Sequence, residues 1–158
     1  MKPNATPEQG GQAEPRAVIP ALEPFYANFA REISYPLIRV AVSGTLLVHG
    51  INRAMIPLSR ATEEMAKSGH EPAMVFAIIA LLNETVGAVC VALGLFTRFF
   101  AASIAIELAM ISIQFFPNGY AWAGHGWEFV FLWGLVFFAI VLRGGGPYSL
   151  DRKIGWEL

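Results

Sequence analysis

The chain has 158 residues, of which 55% are hydrophobic, and a mean hydropathy of +0.50. A soluble domain of this size has too little interior for that much apolar surface, and the apolar residues fall in long runs, so an integral membrane protein is expected. The formal net charge of −1, with no long Lys/Arg cluster, excludes a nucleic-acid partner.

Residues 1–20 are rich in Pro, Gly, Gln and Glu and are expected to form a disordered tail without the features of a signal peptide. Residues 21–34 put Leu22, Phe25, Tyr26, Phe29 and Ile33 on one stripe, which predicts an amphipathic helix on the membrane surface with Pro24 in its first turn. The first span is expected over residues 36–56. At ~100° per residue, Arg39, Ser43, Leu46, His49, Gly50 and Arg53 share one face of it. A polar loop follows at 57–71, where Ser59 can cap a short helix that Gly69 ends.

The second span, 72–95, groups Ala80, Glu84, Gly87, Ala88 and Val91 inward, small residues beside a carboxylate that allow close helix approach. Cys90, the single cysteine, lies in this run; no internal disulfide or Cys/His metal pattern follows from it, and packing is its ordinary role. The connection Phe96-Thr97-Arg98 is short enough for a tight hairpin into the third span, 99–116. There Ser103, Glu107, Met110, Ile111 and Gln114 mark an inward stripe. A loop with Tyr120, Trp122 and His125 but no Lys or Arg leads to the fourth span, 127–142, which opens on Trp127-Glu128. Residues 144–158 form a C-terminal tail.

The expected architecture is therefore all-α: a four-helix integral membrane bundle over residues 35–143. Arg31, Arg98, Arg143, Arg152 and Lys153 outnumber Arg53, Arg60 and Lys67 on the opposite side, which puts both termini in the cytoplasm. A charge at the centre of a bilayer costs at least ~2.5–3.5 kcal/mol, so one that persists there faces a partner or a wet cavity. In this orientation Glu84 and Glu107 lie near the midplane, His49 slightly outward, Arg39 near the inner face, and Glu128 with His125 at the outer mouth. His49, Glu84 and Glu107 are the catalytic candidates. The same three with Arg39, Trp127 and Glu128 are the candidate ligand-binding residues. Each has an ordinary reading beside the functional one: Arg39 snorkels to headgroups, His49 bonds across helices, the two carboxyls are protonated or paired, and Trp127-Glu128 is an interfacial helix start. No metal-ligand spacing, nucleophile motif or dinucleotide fingerprint occurs.

Several motifs, in order, resemble the DoxX family of small four-helix membrane proteins. They are Arg39 with His49-Gly50 ten residues on, Glu84-x-x-Gly87, Gly94-Leu95-Phe96-Thr97-Arg98, Gly126-Trp127-Glu128, and Gly145-Gly146-Pro147-Tyr148-Ser149-Leu150-Asp151. The resemblance implies a four-helix membrane fold and a redox setting, because relatives include a subunit linked to thiosulfate:quinone oxidoreduction. Glu107 and the Pro-rich N-terminal tail depart from that pattern.

The expectation is a multi-pass protein of a bacterial inner membrane, a subunit of a quinone-linked redox system that holds a quinone or similar small ligand near His49, Glu84 and Glu107. Its partners would be the bilayer, a redox protein and further copies of itself. Two alternatives use the same residues differently: a small transporter for protons, anions or a metal, and a non-catalytic anchor or assembly protein in which the buried charges only fix helix packing.

Overall fold

A computed structural model describes residues 18–156; residues 1–17, where most of the expected disordered tail falls, lie outside the described residues, as do 157 and 158. Every regular element among the described residues is helical. The chain divides after Arg31 into two units. In the first, a 3-10 turn at Pro20–Leu22 precedes a π-helical turn at Phe25–Ala30, and Leu22, Phe25, Tyr26 and Phe29 are all exposed.

The second unit is built on long apolar helices. Helix α1, Arg31–Ala54, buries Tyr35, Arg39, Ser43, Leu46 and Gly50, the i, i+4, i+7/8 spacing of one helical face. Helix α2, Leu58–Lys67, begins ahead of Ser59 and takes Pro57 as its N-cap, a residue with no N–H to leave unsatisfied there. Ser68 follows it, and Gly69 turns the chain. Helix α3, Ala73–Leu82, starts where the Glu71 carboxylate accepts the Ala73 N–H at 3.2 Å.

At Asn83 the winding loosens. Residues Asn83–Gly87 form a π-helical turn, in which the Ala88 N–H reaches back to the carbonyl of Asn83 before helix α4, Ala88–Leu93, resumes the α form. Such one-turn expansions rotate the side chains that follow and concentrate at functional sites. Gly94 in the left-handed conformation ends α4, and helix α5 runs over Thr97–Phe115. Helix α6, Glu128–Arg143, packs along α5, with Gly134 set closely against Leu108. The short helix α7, Leu150–Ile154, closes the described chain.

The stretches Ala73–Leu93 and Thr97–Asn118 are long and apolar enough to cross a bilayer. Polarity across the helices is the reverse of that in a water-soluble protein. Large apolar side chains point outward, among them Leu37 and Val48 on α1, Ile106 and Ile113 on α5, and Phe138 and Leu142 on α6. Arg39, Ser43, Asn83, Glu84, Thr97 and Asp151 are buried. Hydrocarbon rather than water is the solvent that such a surface fits. Between the polar layers lies a core of Leu46, Ala88, Val91, Ile104, Phe137 and Ile140.

Candidate functional site

Two separate polar clusters occupy the interior. The first joins α1, the α4–α5 turn and the C-terminal segment. Arg39, 2% exposed, donates from Nη1 to the Gly145 carbonyl at 2.7 Å and from Nη2 to the Tyr148 carbonyl at 3.2 Å. Gly94 leaves room for that guanidinium: a Cβ there would stand 2.0 Å from Nη1. The Asp151 carboxylate accepts the N–H of Phe96 at 2.7 Å, the N–H of Thr97 at 2.9 Å and the Thr97 hydroxyl at 2.6 Å. In return, the Asp151 N–H donates to the Gly94 carbonyl at 2.8 Å. The Tyr35 hydroxyl donates to the Gly144 carbonyl, and the Arg143 guanidinium stacks over the Tyr35 ring at 4.3 Å. This cluster is a latch that holds the tail to the helix ends.

The second cluster surrounds the π turn. Gly50 brings α1 against the main chain at Glu84, and one turn later Arg53 grips the Glu84 carboxylate with both arms. Its Nε lies 2.9 Å from Oε2 and its Nη2 2.9 Å from Oε1. Such a two-pronged, largely desolvated pair is the strong form of an ion pair. Asn83, the residue just before Glu84 in the turn, faces α5 instead. Its Nδ2 donates to Glu107 Oε2 at 2.9 Å, and its Oδ1 accepts the Ser103 hydroxyl at 2.9 Å. Glu84 and Glu107 therefore have different partners on opposite sides of the turn. The second oxygen of Glu107, Oε1, is buried without a hydrogen bond.

Glu107 also lines a cavity of about 290 Å³ between the α2–α3 connection, α3 and α5. Met65, Phe76 and Ile79 give it apolar walls; Asn83, Ser103, Glu107, Gln114 and His70 give it polar ones. His70 rests its ring on Phe76, 5.3 Å between centroids, and its Nδ1 is also buried without a partner. Among the described residues there is no group of three or more His, Cys, Asp or Glu that could hold a metal ion.

The residues singled out from sequence separate accordingly. Glu107 lines the cavity, and Glu84 lies beside it, tied to Arg53. His49 does not join them: it is exposed, with its ring 5.4 Å from that of Trp133 on α6. At ~100° per residue it falls at the edge of the face that Arg39, Ser43, Leu46 and Gly50 share, and the packing of α1 leaves that edge outside. Arg39 is buried rather than turned outward and does not line the cavity; its Nη1 and Nη2 are held by the tail carbonyls. Trp127 and Glu128 belong to an aromatic cluster in the α5–α6 loop. Trp127 packs on Phe116, Tyr120 and Phe131, and Glu128 bonds the Tyr120 hydroxyl, an exposed contact that raises the pKa of that tyrosine.

The DoxX family model matches residues 35–117, more than half of the chain. The chain belongs to the DoxX family. It is accordingly a membrane protein. No curated protein and no solved structure matches the chain. Of the DoxX-like motifs, Arg39, Gly94-Leu95-Phe96-Thr97-Arg98 and the Gly-Gly-Pro-Tyr-Ser-Leu-Asp tail meet in the latch, so they serve the fold of this DoxX protein. Glu84 with Gly50 belongs to the second cluster.

Sequence reasoning put Arg53 on the inward face of the first span without pairing it with Glu84, and it passed over Asn83 and His70 as site residues. Asn83 was visible as a lone amide in an apolar run next to Glu84, and Arg53 as an opposite charge on the face that carries Gly50. His70, in a polar loop, gave no signal.

Proposed function

We propose that this protein is an integral membrane subunit of a quinone-linked redox system, spanning a bacterial inner membrane four times with both termini in the cytoplasm. A quinone or similar small ligand is held between α3 and α5, beside Glu107. The observation that carries this reading is the unpartnered Oε1 of Glu107 on the wall of an otherwise amphipathic cavity. A buried acceptor left without a bond costs about 1–3 kcal/mol, a cost that a ligand hydroxyl would remove. Apolar walls with a few convergent polar groups are the usual make-up of a small-molecule site, and they suit a ring with polar oxygens.

When bound, the quinone supplies the electron-carrying chemistry. The chain supplies position and proton handling. Asn83, itself fixed by Ser103, holds Oε2 of Glu107 and leaves Oε1 for the ligand. Glu107 would accept a hydrogen bond from a ring hydroxyl there and would take up its proton on oxidation of the ring by the partner protein. Glu84 does not take part in this exchange, because Arg53 engages both of its oxygens.

The test is protein purified from native membranes, with its extracted lipids analysed for quinone by mass spectrometry, together with quinol oxidation by the partner in membranes carrying Glu107→Gln. Co-purified quinone and oxidation slowed by at least tenfold are expected. No quinone, with oxidation unchanged, would sink the proposal.

The Arg53–Glu84 fork favours a second reading, a non-catalytic anchor whose buried charges hold helices together. For an anchor, Glu107→Gln and Glu84→Gln would alter stability while leaving the partner's activity intact.

A further inference from the structure

Two residues that line one cavity each carry a buried polar atom without a partner: Glu107 at Oε1 and His70 at Nδ1. They come from different elements. Glu107 projects from α5, whereas His70 comes from the connection between α2 and α3. Neither is a loose side chain that could turn aside at no cost. Glu107 is fixed through Oε2 by Asn83. The His70 ring lies on Phe76, and its backbone N–H donates to the Met65 carbonyl at 3.1 Å.

The spacing of the two follows from α3. His70 sits at the level of Phe76, and Glu107 at the level of Asn83. Seven residues of helix rise ~10 Å, two turns on one face. A ligand that bridges these two levels needs a polar atom at each end, as a six-membered ring with oxygens at opposite corners has. Between the ends lie Phe76 and Ile79, apolar surface suited to a ring face.

We infer that His70 is the second hydrogen-bonding residue of the ligand site, and that the site takes a flat ring oxygenated at both ends, one end on His70 and the other on Glu107. The inference rests on the proposed ligand site at Glu107 and adds the far anchor and the shape of the ligand. His70, Met65 and Phe76 then form the end wall, so the connection after α2 becomes part of the binding site.

The experiment uses the full chain in lipid nanodiscs and two probes, a short-chain para-hydroquinone carrying an azido group, kept reduced, and a phenol of matched size with oxygen at one end only. Equilibrium binding is measured for wild type, His70→Phe, His70→Gln, Glu107→Gln and His49→Phe. Cross-links of the azido probe are mapped by mass spectrometry.

The wild type is expected to prefer the two-ended probe by about tenfold, the worth of one hydrogen bond to a buried group. His70→Phe should abolish that preference, His70→Gln should retain part of it, and His49→Phe should match wild type. Cross-links should fall within residues 65–76. If the two-ended probe binds in a Glu107-dependent way, yet His70→Phe and His70→Gln both match wild type and no cross-link falls within 65–76, the inference is overturned and the Glu107 site stands. If the wild type binds neither probe, both fall together.

Discussion

Gly50 of α1 lies directly against the main chain of Glu84: a Cβ at position 50 would stand 2.2 Å from the Glu84 carbonyl oxygen and 2.4 Å from its carbonyl carbon. The obstacle is backbone, which cannot swing away as a side-chain tip can. The contact sets how near α1 comes to the π turn, and hence whether Arg53, three residues on, reaches the Glu84 carboxylate. Gly50→Ala is therefore expected to destabilise the protein by about 1–3 kcal/mol, the usual cost of overpacking, and to loosen the ion pair. Thermal unfolding in detergent gives the first effect. An unchanged midpoint would mean that α1 can shift freely against α3.

Removing one arm of the ion pair should cost more than removing both. Arg53→Met leaves the Glu84 carboxylate, 7% exposed, without its counter-charge, and the expected loss is about 3–5 kcal/mol. The double substitution Arg53→Met with Glu84→Leu leaves no charge stranded and should recover most of that loss. Unfolding curves of the two single variants and the double variant measure the coupling. Purely additive losses would show that the two side chains do not interact.

The tail latch makes a separate prediction. Asp151, 3% exposed, accepts three hydrogen bonds from Phe96 and Thr97. Asp151→Ala strands two backbone N–H groups at the start of α5, with an expected cost of about 2–3 kcal/mol; Asp151→Asn, which keeps an acceptor, should cost less. Amide hydrogen exchange at Phe96 and Thr97, and proteolysis between Gly144 and Pro147, should both accelerate in Asp151→Ala.

The tail also has a pH-sensitive contact outside the spans. The Tyr148 hydroxyl donates to Glu32 at 3.0 Å, and this bond with the nearby carboxylate charge raises the pKa of the phenol above its ordinary value. A raised acid favours its protonated form in the folded state. The contact is thus fully present below the ordinary tyrosine value of ~10 and is lost as pH climbs through the raised one. Ultraviolet titration should show late-ionising tyrosines, Tyr120 and Tyr148 among them, and Tyr148→Phe should remove one.

Much of this arrangement is legible in the sequence, and the limits have physical causes. Helical spacing finds the buried faces of α1 and of the π turn, because in both a few polar or small residues stand out from a greasy background: Arg39, Ser43 and Gly50 on one, Glu84, Gly87 and Ala88 on the other. Spacing is less informative on α5, where apolar residues surround a single narrow polar stripe. There the most buried residues are Ala101, Ile104, Leu108 and Ser112, whereas the polar stripe of Ser103, Glu107 and Gln114 lines the cavity beside them. His49 shows the coarseness of a face drawn from angle alone. His70 and the Arg39 latch depend on contacts between residues far apart in the chain, for which a single sequence holds no spacing rule.

The carboxyl most open to a functional test is Glu107, because charge and hydrogen bonding can be separated there. Glu107→Gln still offers an oxygen to the Asn83 amide, so the bond at 2.9 Å and the link onward to Ser103 can persist. Stability should change by less than about 1 kcal/mol, since the substitution removes one ionisable group and leaves without a partner only the position where Oε1 already has none. Asn83→Leu behaves differently. It deprives both Ser103 and Glu107 of their partner in an apolar setting, with an expected loss of about 1–3 kcal/mol for each polar group stranded. Thermal unfolding of the two variants side by side separates these outcomes. If Glu107→Gln proves as destabilising as Asn83→Leu, the Glu107 carboxyl is a structural group, and a ligand role for its free oxygen loses its main support.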